Sequence, residues 1–139
     1  MGPAHRQGNL VSKQTYHPAR GDILHVNFSP SAGHEFTGPH YALVISSLAF
    51  SKATGLCISL PLTTKYHAGQ KLFNTHLMVR LPRISGLSEE GWIYTHQIKT
   101  IDYRERGATL KTKIPESELE FLIDVMERVR AFIDPDSVA

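Results

Sequence analysis

The chain has 139 residues and a mass of 15.5 kDa, enough for one domain with a single core, which excludes a large multidomain enzyme. Apolar residues make up 41% and charged residues 20%, a globular composition rather than a disordered or fibrous one. The formal net charge is only +2, yet residues 1–113 hold 13 Lys/Arg against 6 Asp/Glu, and residues 114–139 hold 2 against 7.

The single cysteine, Cys57, excludes an intrachain disulfide and a Cys-based zinc cluster, and it fits a reducing cytoplasm. It lies in the apolar run Leu56-Cys57-Ile58-Ser59-Leu60 and reads as a small core residue. No apolar stretch approaches the roughly 18 residues of a membrane span. The first residues are polar and lack the apolar core of a secretory signal. Residues 1–18 are set aside as an N-terminal extension, and residues 19–134 are expected to form one domain.

The elements follow in chain order. In Asp22–Ser29, Leu24, Val26 and Phe28 share one face and His25 and Asn27 the other, which predicts a strand. Residues 29–40, rich in Gly, Pro and Ser, predict a loop. Tyr41–Ser47 is a near-continuous apolar run, expected as a strand buried on both faces. A helical turn is expected over Leu48–Gly55, with Gly55 as its stop. Leu56–Thr63 predicts a third strand, and Lys65–Asn74 a polar loop. Further strands are expected at His76–Leu81, Trp92–Thr100 and Gly107–Ile114, with a turn-rich loop over Arg83–Gly91 between the first two.

The chain end differs in kind. Pro115, Glu116 and Glu118 suit a first helical turn, where the macrodipole favours acids. Leu119, Leu122, Ile123, Met126, Val129 and Ile133 recur at helical spacing and predict the buried face of an amphipathic helix. The fold class is therefore mainly β (α+β): a small, strongly bent barrel of about six short strands with a C-terminal helix over an edge or mouth.

No phosphate-binding loop, dinucleotide fingerprint, zinc-protease motif or nucleophile elbow is present. Polar residues at loops and strand ends remain: His34, Glu35 and His40; Thr63, Thr64 and Lys65; His96 and Gln97. Each also has an ordinary structural reading. His34 and His67 suit a solvated loop, Glu35 can bind loop amides, and His96 can be a half-buried strand histidine. The histidines at 34, 40, 67, 76 and 96 have no compact metal-ligand spacing, so no metal and no cofactor are expected. A basic body attracts polyanions, nucleic acid first among them, with Tyr16, Phe36, Tyr41, Tyr66, Trp92 and Tyr103 as possible stacking faces.

Taken as an ordered series, several segments resemble the MazF/PemK toxins of bacterial toxin–antitoxin modules. They are Arg20-Gly21-Asp22-Ile23, Asn27-Phe28-Ser29-Pro30, Gly33-His34-Glu35, Ala42–Ser46, Thr54-Gly55-Leu56, Pro61-Leu62-Thr63-Thr64, Gln97–Asp102 and Arg106-Gly107-Ala108. Gly-His-Glu in the loop is most similar to the subgroup typified by ChpB. The resemblance spans residues 19–133. It implies an SH3-like barrel of the MazF/CcdB type, a homodimer, and a metal-independent endoribonuclease specific for single-stranded RNA. The implied reaction passes through a 2′,3′-cyclic phosphate and leaves a 5′-hydroxyl. It also implies a cognate antitoxin with an acidic C-terminal segment that competes with RNA for the basic surface.

Two positions depart from the pattern. His40-Tyr41 stands where family members usually carry Arg-Pro, and His96 stands where many carry Asp. Carried over residue by residue, the resemblance and the imidazole chemistry imply Glu35, His40, Thr63 and His96 as catalytic residues. His34, Thr64, Lys65, Gln97 and Lys99 are the implied RNA-binding residues. One imidazole can accept a proton while another donates one. The alternative left open by the lost arginine is a catalytically weak or inactive module that binds RNA or protein.

Overall fold

The structure, a computed structural model, describes residues 16–35, 37–65, 71, 75, 77–84 and 86–137. Phe36, Tyr66, His67, His76 and most of the expected 65–74 loop lie outside the described residues.

Seven antiparallel strands form one sheet. They are β1 (Asp22–Asn27), β2 (Pro39–Val44), β3 (Cys57–Thr63), β4 (Met78–Arg80), β5 (Trp92–Tyr94), β6 (Lys99–Ile101) and β7 (Thr109–Lys113). The hydrogen-bonded order is β4-β5-β3-β2-β1-β7, and β6 pairs with another stretch of β3. Among the described residues there are two α-helices, α1 (Leu48–Thr54) and α2 (Leu119–Ile133). This is the bent, mainly β architecture with a C-terminal helix that the strand spacing predicts.

The sheet is buried on both faces. On one face Ile23, Leu43, Leu60, Leu62 and Ile93 pack with Leu122, Val125 and Val129 of α2. On the other, Leu24, Val26, Phe28, Ala42, Val44 and Cys57 pack with Ile101 and Tyr103. Strand alternation assigns each side chain to a face, so β1 reads as the sequence pattern requires. The near-continuous apolar run beginning at Tyr41 is explained by this double burial. α1 begins where the Ser47 hydroxyl caps the Phe50 amide, and Gly55 ends it in the left-handed region at φ 73°.

Two expectations are corrected. Trp92–Thr100 is not one strand. The hydrogen bond from the Gln97 amide to the Tyr94 carbonyl closes a turn at Thr95-His96, so His96 lies on an exposed turn rather than inside a strand. The cause is non-local. Ile93 pairs with Leu62 and Lys99 with Ser59, so six steps of chain face three steps of β3. The excess bulges out opposite Pro61. The Ile45 amide donates to the Ile58 carbonyl, and alternation then makes Ala42–Pro61 a non-hydrogen-bonded pair. The edge of Pro61 that lacks an N–H therefore faces the bulge, where no ladder bond is lost.

The second correction concerns α2. Its buried residues are Leu122, Val125 and Val129, with Phe121 and Met126 half-buried. Leu119, Ile123 and Ile133 are 57%, 49% and 73% exposed. The buried stripe is rotated away from the predicted one, and Glu116–Glu118 form a 3₁₀ turn ahead of the helix.

Residues Tyr16–Pro18 are tied to the domain. The Tyr16 hydroxyl donates to Asp22 Oδ2 at 2.7 Å, and the Ser51 hydroxyl donates to the Pro18 carbonyl at 2.7 Å. His17 Nδ1 lies 2.9 Å from the Tyr103 hydroxyl.

Candidate active site

The loop between β1 and β2 is braced by its own polar residues. Asn27 Oδ1 accepts from the Ser29 amide at 2.9 Å, the Gly38 amide donates to Ser29 Oγ at 2.9 Å, and Ser29 Oγ lies 2.9 Å from Thr37 Oγ1. The Arg106 guanidinium holds its base, donating to the Asn27 and Ser29 carbonyls at 2.9 and 3.2 Å. This bracing sets Glu35 at the loop tip and His40 where the chain re-enters the sheet.

Glu35 meets the bulge across a cleft of about 270 Å³ lined by Phe28, Glu35, Pro61, Gln97, Ile98 and Lys99. Lys99 Nζ lies 3.7 Å from Glu35 Oε1, and the Gln97 side-chain amide donates to the His34 carbonyl at 2.9 Å. The cleft therefore exists because the strand breaks opposite Pro61. His40, Pro61, Thr63 and Lys99 share the sheet face of Phe28, by alternation from Ala42, Cys57 and Ile101.

A second cleft, of about 250 Å³, opens at the rim where β1, β2 and β3 end. His25, His40, Tyr41, Thr63, Thr64 and Lys65 line it. The His25 and Tyr41 rings meet edge to face at 5.7 Å between centroids. Burial lowers the pKa of His40 below its usual 6.5. Positive charge on Lys65 and His25 pushes the same way, and a backbone hydrogen bond at Thr37 opposes. Burial also lowers His96. Its ring lies 6.2 Å from that of Tyr94.

Of the residues singled out in the sequence, His40, Thr63, Thr64 and Lys65 come together at the rim. Glu35, His34, Gln97 and Lys99 come together at the bulge. His96 lines neither cleft and stands on the turn beside Gln97. Sequence reasoning missed His25, which reads only as the polar side of a strand. It also missed the wall formed by Phe28, Pro61 and Ile98. A proline in a central strand followed by threonines was the available signal for the break. Among the described residues no three His, Cys, Asp or Glu side chains gather as a metal site.

The comparisons with known proteins cover nearly the whole folded unit. The model of the PemK-like, MazF-like toxin of type II toxin–antitoxin systems matches residues 19–133. The chain belongs to this family. The endoribonuclease toxin MazF of Escherichia coli K12 is 32% identical over 113 residues, 81% of this chain and 92% of that one. A crystal structure of MazF from Deinococcus radiodurans superimposes with a TM-score of 0.71 at 28% identity, covering 85% of this chain and 97% of the other. A MazE–MazF complex from the same organism gives a TM-score of 0.65 at 26% identity, with the same coverages.

Proposed function

We propose that this protein is the toxin of a type II toxin–antitoxin module and an endoribonuclease that cuts single-stranded RNA at a specific sequence, without a metal. The observation that carries the reading is the sheet face of Phe28, on which His40 and Thr63 line the rim cleft and the Glu35–Lys99 pair lines the cleft at the bulge. Three relatives of the family fit it: the MazF and PemK endoribonucleases of E. coli by name, and MazF in complex with MazE.

The reaction joins the 2′ oxygen to the adjacent phosphorus and breaks the bond from phosphorus to the 5′ oxygen. A 2′,3′-cyclic phosphate and a 5′-hydroxyl result. His40, kept neutral by burial, takes the 2′-hydroxyl proton. Glu35 positions Lys99. Lys99, Lys65 and the Thr63 hydroxyl face the charge that builds on the phosphorane oxygens. His96, on the turn beside Gln97, gives a proton to the departing 5′ oxygen; because its own surroundings lower its pKa, it gains that proton only where the RNA phosphates stabilise the imidazolium. Gln97, His34 and Thr64 hold the strand.

The reading includes a homodimer, a cytoplasmic setting and a cognate antitoxin whose acidic C-terminal segment occupies the same basic clefts. No described helix is long and apolar enough to cross a membrane.

The test is incubation of single-stranded RNA with the protein in chelator, followed by labelling of the new ends. Fragments carrying 5′-hydroxyls, lost in His40→Ala and reduced in His96→Ala, are expected. Full activity in both variants refutes the two-histidine chemistry. RNA binding without cleavage replaces the enzyme with a binding module.

A further inference from the structure

The face opposite Glu35 carries a cavity that this chemistry does not use. The loop between β4 and β5 folds back onto β7 at Gly86. There φ is +91°, and a Cβ would stand 2.7 Å from Thr112 Cβ, so only glycine permits the approach. Ile84 and Leu87, on either side, are half-buried against the main core. The loop is therefore a built wall. Between it and the strand ends lies a space of about 420 Å³, lined by Tyr41, Thr64, Ile84, Leu87, Glu89 and Lys111. That volume falls within the roughly 300–1,000 Å³ of small-molecule pockets.

Two features say what this space suits. It shares Tyr41 and Thr64 with the rim cleft, so a strand bound over His40 and Thr63 reaches it by turning over the strand ends. Its lining also matches an unstacked base: an aromatic ring and two aliphatic side chains for the flat faces, a carboxylate for a donor on the edge, and an ammonium for a phosphate.

We propose that this cavity is a base subsite that takes a nucleotide flanking the scissile phosphate. Tyr41 supplies the stacking face. Glu89 accepts from an exocyclic amino group, so adenine, cytosine or guanine is favoured over uracil, whose one edge donor, N3–H, sits between two carbonyl oxygens that repel a carboxylate. Lys111 meets the phosphate. The inference rests on the RNA reading above.

Binding of short RNAs made uncleavable by a 2′-deoxy substitution at the cut site tests it, with each base placed in turn at the flanking positions. The wild type is expected to favour an amino-bearing base over uracil at one position by roughly 5- to 100-fold. Glu89→Gln removes that preference, and Tyr41→Ala weakens all sequences on the order of 10-fold. Glu89 is exposed, so its substitution leaves folding intact, which thermal melting verifies. A preference that survives unchanged in Glu89→Gln overturns the subsite, as does the absence of any preference in the wild type. Cleavage is scored separately. A wild type that binds with the predicted preference but leaves cleavable RNA whole keeps the subsite and sinks the nuclease. Cleavage with a preference untouched by Glu89→Gln does the reverse.

Discussion

Glu35→Gln is expected to tighten RNA binding while slowing cleavage. Glu35 and Lys99 approach to 3.7 Å, with side chains 54% and 35% exposed, so water screens their attraction. An exposed pair of this kind is worth about 0.2–1 kcal/mol. An RNA phosphate must displace that attraction to engage Lys99. Removing the carboxylate charge therefore strengthens binding of uncleavable RNA about 1.4- to 5-fold, at 1.4 kcal/mol per tenfold. The freed lysine adds one full phosphate contact, so the plot of log affinity against log salt steepens by up to about 0.7. Single-turnover cleavage should fall on the order of 10²-fold, because Lys99 loses the carboxylate that positions it against the phosphorane oxygens. Fluorescence anisotropy at several salt concentrations, beside quenched single-turnover assays, reads both effects. Weaker binding together with an unchanged cleavage rate would show that Glu35 neither restrains nor positions Lys99.

Other consequences are as direct. The His40 pKa is depressed below 6.5, so the acid limb of kcat/KM should lie below that value and shift or vanish in His40→Asn. The same depression makes the unfolded chain bind more protons than the folded one below pH 6.5, so stability falls as pH drops through that window, and His40→Gln flattens the fall. Asp22, 3% exposed, accepts from the Tyr16 hydroxyl at 2.7 Å and the Ala19 amide at 3.0 Å. Asp22→Ala leaves both donors without it and should cost about 2–4 kcal/mol in urea unfolding. The Cys57 thiol is buried and its pKa is pushed up to about 12, so iodoacetamide should label it at pH 8 only after denaturant is added.

Local signals in the sequence carried most of the strands, the α1 stop at Gly55 and the turn-rich loop after β1, which gives way to β2 at Pro39, two residues before the expected strand start at Tyr41. Period and turn chemistry act over a few residues, and those elements depend on little else. The break at Thr95-His96 was hidden because Trp92, Tyr94, His96 and Ile98 keep a strand's alternation. It is imposed by β3, more than thirty residues away, through a register that only the folded sheet defines. The α2 stripe failed for a related reason. Apolar residues cover more of that helix than one contact face can bury, and only packing into the core cluster that includes Ile23, Leu43 and Ile114 selects Leu122, Val125 and Val129. His25 had no local mark at all, since its proximity to His40 and Tyr41 is a matter of strand pairing.

The charge asymmetry changes meaning once each cation is placed. Several basic residues of residues 1–113 serve the fold. Arg20 Nε donates to the Ile45 carbonyl at 2.8 Å, Arg106 holds the base of the β1–β2 loop, Lys113 lies 3.6 Å from buried Asp22, and Arg80 pairs with Glu90. Lys65, Lys99 and Lys111 instead line the clefts. A salt dependence set by net charge would be steep. One set by these three lysines has a slope of about −2 for single-stranded RNA, at roughly 0.7 per contact. On the RNA reading, the cleft-lining part of the basic body is three ammonium groups, one to each cleft. Lys113→Gln should lower stability without changing that slope, whereas Lys65→Gln should lower the slope without changing stability.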